Sequence, residues 1–146
     1  MRRYLAGLLV LAAAALLAVS VASADVMSGV HFVSPKKGAT TTSKVTFKVA
    51  LDHFTIDAAN VGKANADEHG HLHFAMDKGK YDYAKYSGPN GALAAKLGIA
   101  GKYSPSVAPT ITYKGLPKGK HTLVVYLVNN DHSNLGPKAS VSFTVK

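Results

Sequence analysis

Downstream of Val30 the chain is dominated by apolar residues alternating with polar ones, the period-two pattern of half-buried β-strands. Val45, Phe47, Val49 and Leu51 alternate with Thr46, Lys48 and Ala50. Leu72, Phe74 and Met76 do the same within a strand expected over His69–Asp77. Leu123, Val125 and Leu127 mark another over His121–Val128, and Val141, Phe143 and Val145 a last one over Ser140–Val145. Shorter strands are expected at Val30–Val33 and Thr110–Tyr113, with Ser34-Pro35-Lys36-Lys37-Gly38 as turn chemistry after the first. Asp57–Glu68 lacks periodicity and reads as a loop. Six or seven short strands separated by turn residues predict an all-β antiparallel sandwich.

Two local details complete that picture. Lys78-Gly79 has the form of a two-residue hairpin turn, which would set Met76 opposite Tyr81 and Phe74 opposite Tyr83. Ser87-Gly88-Pro89-Asn90-Gly91 then breaks the pattern. Ala92–Leu97 follows as a short helical insertion, with Asn90 as its cap and Leu93 and Leu97 one turn apart.

The N-terminus has the layout of a secretory signal. Arg2 and Arg3 precede an apolar run from Leu5 to Val19, and Ala22-Ser23-Ala24 supplies the small residues of a cleavage site. Residues 1–24 are therefore expected to be removed, leaving Asp25 first and residues 25–146 as a single domain. The apolar run also approaches the ~20 residues that span a bilayer, so an uncleaved anchor is the alternative. No cysteine follows the run, which excludes a lipoprotein. The expected residence is outside the cytoplasm: periplasmic, cell-surface or extracellular.

Composition narrows the chemistry. Cysteine is absent, so neither a disulfide nor a thiolate ligand is available, and any metal must be held by His, Asp, Glu, Met or backbone oxygen. The formal net charge of +9 falls to +7 when Arg2 and Arg3 leave with the signal, and the remainder is carried by lysine alone. Residues 25–146, with no arginine to read base edges and no clustered basic run, are unsuited to nucleic acid. Scattered lysines suit solubility and loose attraction to an anionic envelope.

His69-Gly70-His71-Leu72-His73-Phe74 is the stretch that carries chemistry. Side chains two apart on a strand share a face, and their Cα atoms lie about 6.6 Å apart, within reach of one metal ion. Leu72, Phe74 and Met76 take the core face, so the three histidines are expected outward, where packing does not account for them. If the sandwich pairs this strand antiparallel with His121–Val128, its start lies beside Asp131 and His132. Extrapolated alternation then turns His132 to the same outward face.

Ser34-Pro35-Lys36-Lys37-Gly38-Ala39-Thr40, Gly70-His71-Leu72-His73, Pro117-Lys118-Gly119-Lys120-His121-Thr122-Leu123 and Asn129-Asn130-Asp131-His132 resemble a family of exported bacterial immunoglobulin-like domains. The similarity spans nearly all the chain after the signal, with Tyr86–Ser106 as an insertion. The resemblance implies an immunoglobulin-like sandwich of about seven strands and export. It implies no particular activity.

The expected site is thus a metal cluster of His69, His71, His73, Asp131 and His132, with His71, His73 and His132 as direct ligands. The loop bearing His53, Asp57, Asp67 and Glu68 opens at the same rim, near Asp52 and Asp131, so negative charge gathers there against a basic background. His31 and His121 read as surface or packing residues, and His53 fits either group. Imidazole without thiolate favours Cu(II) or Zn(II). Only neutral imidazole ligates, so binding is expected to weaken below its ordinary pKa of about 6.5. The function expected is a copper- or zinc-binding module for buffering, delivery or sensing. The alternative is a metal-free adhesion module whose rim loops, Asp57–Glu68 and Asn129–Lys138, meet an anionic envelope polymer or a protein. An enzyme ranks below both. His-x-His on a strand is similar to exported copper-zinc superoxide dismutases, but their cysteine pair and second histidine-rich segment are lacking, residues 25–146 hold no arginine, and a hydrolytic site would rest on Asp67 or Glu68 as base.

Overall fold

The alternating segments pair into two sheets in the computed structural model, which describes residues 27–82 and 102–146. In chain order the strands are β1 (Gly29–Ser34), β2 (Thr40–Thr41), β3 (Val45–Asp52), β4 (Thr55–Ile56), β5 (His69–Met76), β6 (Ser104–Ser106), β7 (Thr110–Tyr113), β8 (Gly119–Asn129) and β9 (Asn134–Val145). One sheet has the order β1-β3-β7, the other β2-β9-β8-β5-β4, with β6 also on β5. Pairing is antiparallel except where the two-residue strands β2 and β4 add parallel to β9 and β5. This is the expected immunoglobulin-like all-β sandwich.

The inward residues of both sheets make the core. Phe47, Leu72, Phe74, Met76, Leu123, Leu127 and Phe143 are almost fully buried. Phe47 of β3 meets Phe143 of β9 edge-on at 5.1 Å between ring centroids, joining the sheets. Burying such a side chain stabilises the fold by about 1.5–3 kcal/mol.

Three expectations are corrected. The segment after β5 does not return as a hairpin through Tyr81: Asp77, Lys78 and Gly79 all take positive φ, and Gly79 N–H bonds back to Met76 O at 3.0 Å in a tight turn. The antiparallel neighbour on that edge is β6, with Leu72 opposite Ser106 and Phe74 opposite Ser104, so residues at the end of the supposed insertion form part of the sheet. Asp82 fastens this arrangement. Its buried carboxylate accepts from Met76 N–H at 2.6 Å, Ser104 Oγ at 2.6 Å and Tyr113 Oη at 2.5 Å, tying β5, β6 and β7 together. Burial raises its pKa, an effect that these hydrogen bonds oppose.

The third correction concerns β9, which begins at Asn134 rather than Ser140, so most of the expected rim loop Asn129–Lys138 is strand. The register shifts between the pairs Tyr126–Lys138 and Val128–Asn134. The bulge takes up Gly136 and Pro137, residues that interrupt the alternation in sequence and are tolerated where the ladder is broken. Asp57–Glu68 is a loop as expected, with one 3-10 turn at Ala58–Asn60. The expected signal segment, Tyr83 and the expected helix Ala92–Leu97 lie outside the described residues. Among the described residues no helix is long and apolar enough to cross a membrane.

Candidate metal centre

β5 presents its histidines on the side opposite Leu72, Phe74 and Met76, and pairs antiparallel with β8, His71 facing Val128 and His73 facing Tyr126. The backbones approach closely at the start of β5. A Cβ on Gly70 would lie 2.0 Å from Val128 O, so the residue between the first two histidines has to be glycine. β8 then turns into β9 through a short hairpin closed by Asn129 N–H to Ser133 O at 2.9 Å. His132 occupies that turn with φ 69°, a left-handed conformation uncommon outside glycine. The Asp57–Glu68 loop braces the hairpin from behind. Gly62 N–H donates to Asn130 O at 2.6 Å, and Asp131 N–H donates to Asn65 Oδ1 at 3.0 Å.

Three ring nitrogens meet as a result. His71 Nε2 lies 3.0 Å from His73 Nε2 and 3.1 Å from His132 Nδ1, and the last two are 3.4 Å apart. Each nitrogen of a neutral imidazole is either a donor or an acceptor. Among three mutually adjacent nitrogens at least two must play the same role, so one close pair is always donor against donor or acceptor against acceptor. With protons alone, a His71 N–H can reach both neighbours, which leaves the 3.4 Å His73–His132 pair acceptor against acceptor. A cation uses all three nitrogens at once, because each can then present a lone pair inward. Nitrogens at these separations lie on a circle of radius about 1.8 Å, so a metal 2.0–2.1 Å from each would sit about 0.9 Å out of their plane, as in a tetrahedral site with one position open.

The two strand histidines are buried, His71 at 0% and His73 at 5% exposure, rather than lying on an open face. Tyr103, one residue before β6, stacks on the His73 ring at 3.9 Å between centroids and an interplanar angle of 12°. Burial, with the neighbouring imidazoles adding repulsion, lowers the pKa of His71 to about 4 and that of His73 to about 3. Both rings are therefore neutral and able to ligate well below pH 6.5, which moves the expected acid limit of these two ligands downward. Nδ1 of His71 is buried without a hydrogen-bond partner among the described residues. Leaving a polar atom so placed costs about 1–3 kcal/mol.

The other expected members stay outside it: among the described residues the candidate ligand group holds His71, His73 and His132 alone. His69 shares their face by alternation, but its Nδ1 turns back to donate to Asp67 O at 2.7 Å. Asp131 bends toward its own turn, accepting from Ser133 N–H at 2.9 Å and Ser133 Oγ at 2.6 Å, contacts that lower its pKa. The carboxylates expected at the rim do not join either. Asp57 accepts from Asn60 Nδ2, Asp52 pairs with exposed His31 at 3.3 Å, and Asp67 and Glu68 lie exposed in the loop. His53 is exposed with φ 46°. His121 is the packing residue expected of it, Nδ1 on Asp77 Oδ2 at 2.6 Å and Nε2 on Pro117 O at 2.8 Å. Tyr103 is the neighbour that sequence reasoning missed. Its position against His73 depends on the β5–β6 pairing, for which residues 102–106 carry no alternation signal.

Comparison with known proteins adds little to this geometry. No protein-family model and no curated protein matches the chain. A solved structure of fibronectin(III)-like modules of CbhA from Clostridium thermocellum is similar, at 17% identity and a TM-score of 0.44. The match covers 83% of this chain and 47% of that one, so the chain spans about half the length of that structure.

Proposed function

We propose that the protein is a metal-binding module that holds one zinc or copper(II) ion on His71 Nε2, His73 Nε2 and His132 Nδ1. The observation that carries this reading is the convergence of three ring nitrogens within 3.4 Å of one another, where at most two of the three pairs can be hydrogen-bonded but all three lone pairs can meet one ion. Neutral imidazoles at neutral pH support it, since no proton need be displaced from His71 or His73. Zinc accepts a pyramidal three-nitrogen site without strain, whereas Cu(II) has the greater intrinsic affinity but prefers tetragonal geometry. Met76 is sealed in the core, so the site has no soft ligand of the kind Cu(I) seeks. The signal-like N-terminus and the absence of cysteine suit buffering, delivery or sensing of such an ion outside the cytoplasm. Asp67 and Glu68, the expected bases of a hydrolytic site, are not among the clustered groups, which favours binding over catalysis.

Calorimetric titration of metal-stripped protein with zinc and with copper(II) tests the reading. One equivalent should bind, His73→Ala should weaken the uptake by about a hundredfold or more, and His31→Ala should leave it unchanged. Absence of uptake by the wild-type protein at micromolar concentration and neutral pH overturns it.

A further inference from the structure

A groove of about 790 Å³ runs over the outer face of the six-stranded sheet and reaches the histidine cluster at one end. His73 and His132 line that end, Val124 and Tyr126 of β8 form part of its floor, and Lys78 and Lys102 stand on its walls. Its volume is that of a pocket for one small organic molecule. The carboxylate that also lines it, Asp77, is already engaged by His121 Nδ1 at 2.6 Å and Thr122 N–H at 2.8 Å. Two ammonium groups against that one carboxylate leave the groove with a positive balance, an apolar floor, and imidazole nitrogens at the end.

We infer that this groove binds a small amphipathic anion whose donor group completes the coordination of the metal, and whose apolar body lies over Val124 and Tyr126. The inference rests on the metal reading above and specifies what that site takes. Three ligands leave a zinc ion with one open position, the arrangement that accepts an exogenous ligand rather than the closed four-ligand site of a structural zinc. His73 and His132 are the cluster members that line the groove, so an incoming donor meets the ion from that side. A second anionic group at the far end of the ligand would be met by Lys102 and Lys78. A carboxylate or hydroxamate on a chain of several methylenes has the required chemistry: a donor for the metal, apolar surface for the floor and negative charge for the walls.

The probes are octanohydroxamate, which carries the metal-binding group and the chain, and suberic acid monohydroxamate, which adds a terminal carboxylate. Zinc uptake is measured first and by itself. Zinc-loaded protein should bind both probes one to one with the zinc retained, the second about tenfold more tightly, and metal-stripped protein should bind neither. Lys78→Ala/Lys102→Ala should remove the advantage of the second probe and leave zinc affinity unchanged. Val124→Arg should block both probes, again with zinc affinity unchanged. If zinc-loaded protein takes up neither probe, or if Val124→Arg binds them normally, the groove inference is overturned while the metal reading stands. If zinc itself does not bind, both fall.

Discussion

The molecule buries histidine in two ways, and the contrast separates a structural residue from a site. His121 sits at the edge of the core, 5% exposed, with a carboxylate on one ring nitrogen and a carbonyl on the other. His71 and His73 are equally buried on the opposite side of the same sheet, yet their inner nitrogens face only each other and His132, and Nδ1 of His71 faces no partner among the described residues. A protein that needs a buried histidine for packing supplies partners for both nitrogens, because an unpaired one costs about 1–3 kcal/mol. Burial alone therefore says little. What each nitrogen touches says what the residue is for.

The largest test of that contrast is acid. In metal-free protein the folded pKa values of His71 and His73, about 4 and about 3, lie below the 6.5 of the unfolded chain. Between those limits the unfolded chain takes up protons that the folded one refuses, so stability is complete above pH 6.5 and declines as pH falls toward 4 and then 3. Lowering a pKa by one pH unit corresponds to about 1.4 kcal/mol, so the loss is on the order of a few kcal/mol across the window. Chemical denaturation from pH 7 to pH 4 measures it, and His71→Leu/His73→Leu should flatten the curve. An equally steep curve in that variant would place the acid sensitivity elsewhere.

Crossing the two regions comes next. His73→Ala should weaken zinc or copper binding by about a hundredfold or more, whereas His121→Ala should stay within about threefold of wild type. Stability reverses the ranking. His121→Ala strips a partner from Asp77 and from Pro117 O and should cost about 2–3 kcal/mol in thermal or denaturant unfolding. His73→Ala should show a smaller loss, since the triangle it leaves is less crowded. A variant of His121 that loses metal while fully folded would erase the distinction. The smallest effect is expected at Tyr103, which covers one ring and offers no ligand. Tyr103→Ala should lower metal affinity by only about threefold, through looser packing of His73, read by the same calorimetry.

Part of the site was legible before the fold was known. His71 and His73 declare a common face because strand alternation is a local property, set by backbone geometry within a few residues. His132 could be placed beside them only by assuming the β5–β8 pairing, an assumption the structure supports. His69 obeys the same alternation and still fails to join, since its ring is drawn to Asp67 O by the loop before it. Asp131 likewise spends its carboxylate on Ser133. The gathering of acidic residues at the rim was a matter of sequence proximity and does not extend to the cluster.

The sequence by itself determined the strands with uninterrupted alternation, β3, β5, β7 and β8, the inward set of core residues and the face assigned to the strand histidines, because each follows from a repeat of two carried by the chain locally. Tertiary structure alone decided the rest. The reach of β9 past Gly136 and Pro137 comes from pairing along β8. Asp82 acquires its role from Ser104 and Tyr113, partners more than twenty residues away. Tyr103 reaches His73 through the β6 pairing, and the three nitrogens reach metal spacing because Gly70 admits close approach of β8 and the rim loop braces the His132 turn. Nitrogen–nitrogen distances of 3.1 and 3.4 Å between residues 61 and 59 positions apart are set by how strands dock, and no local pattern encodes them.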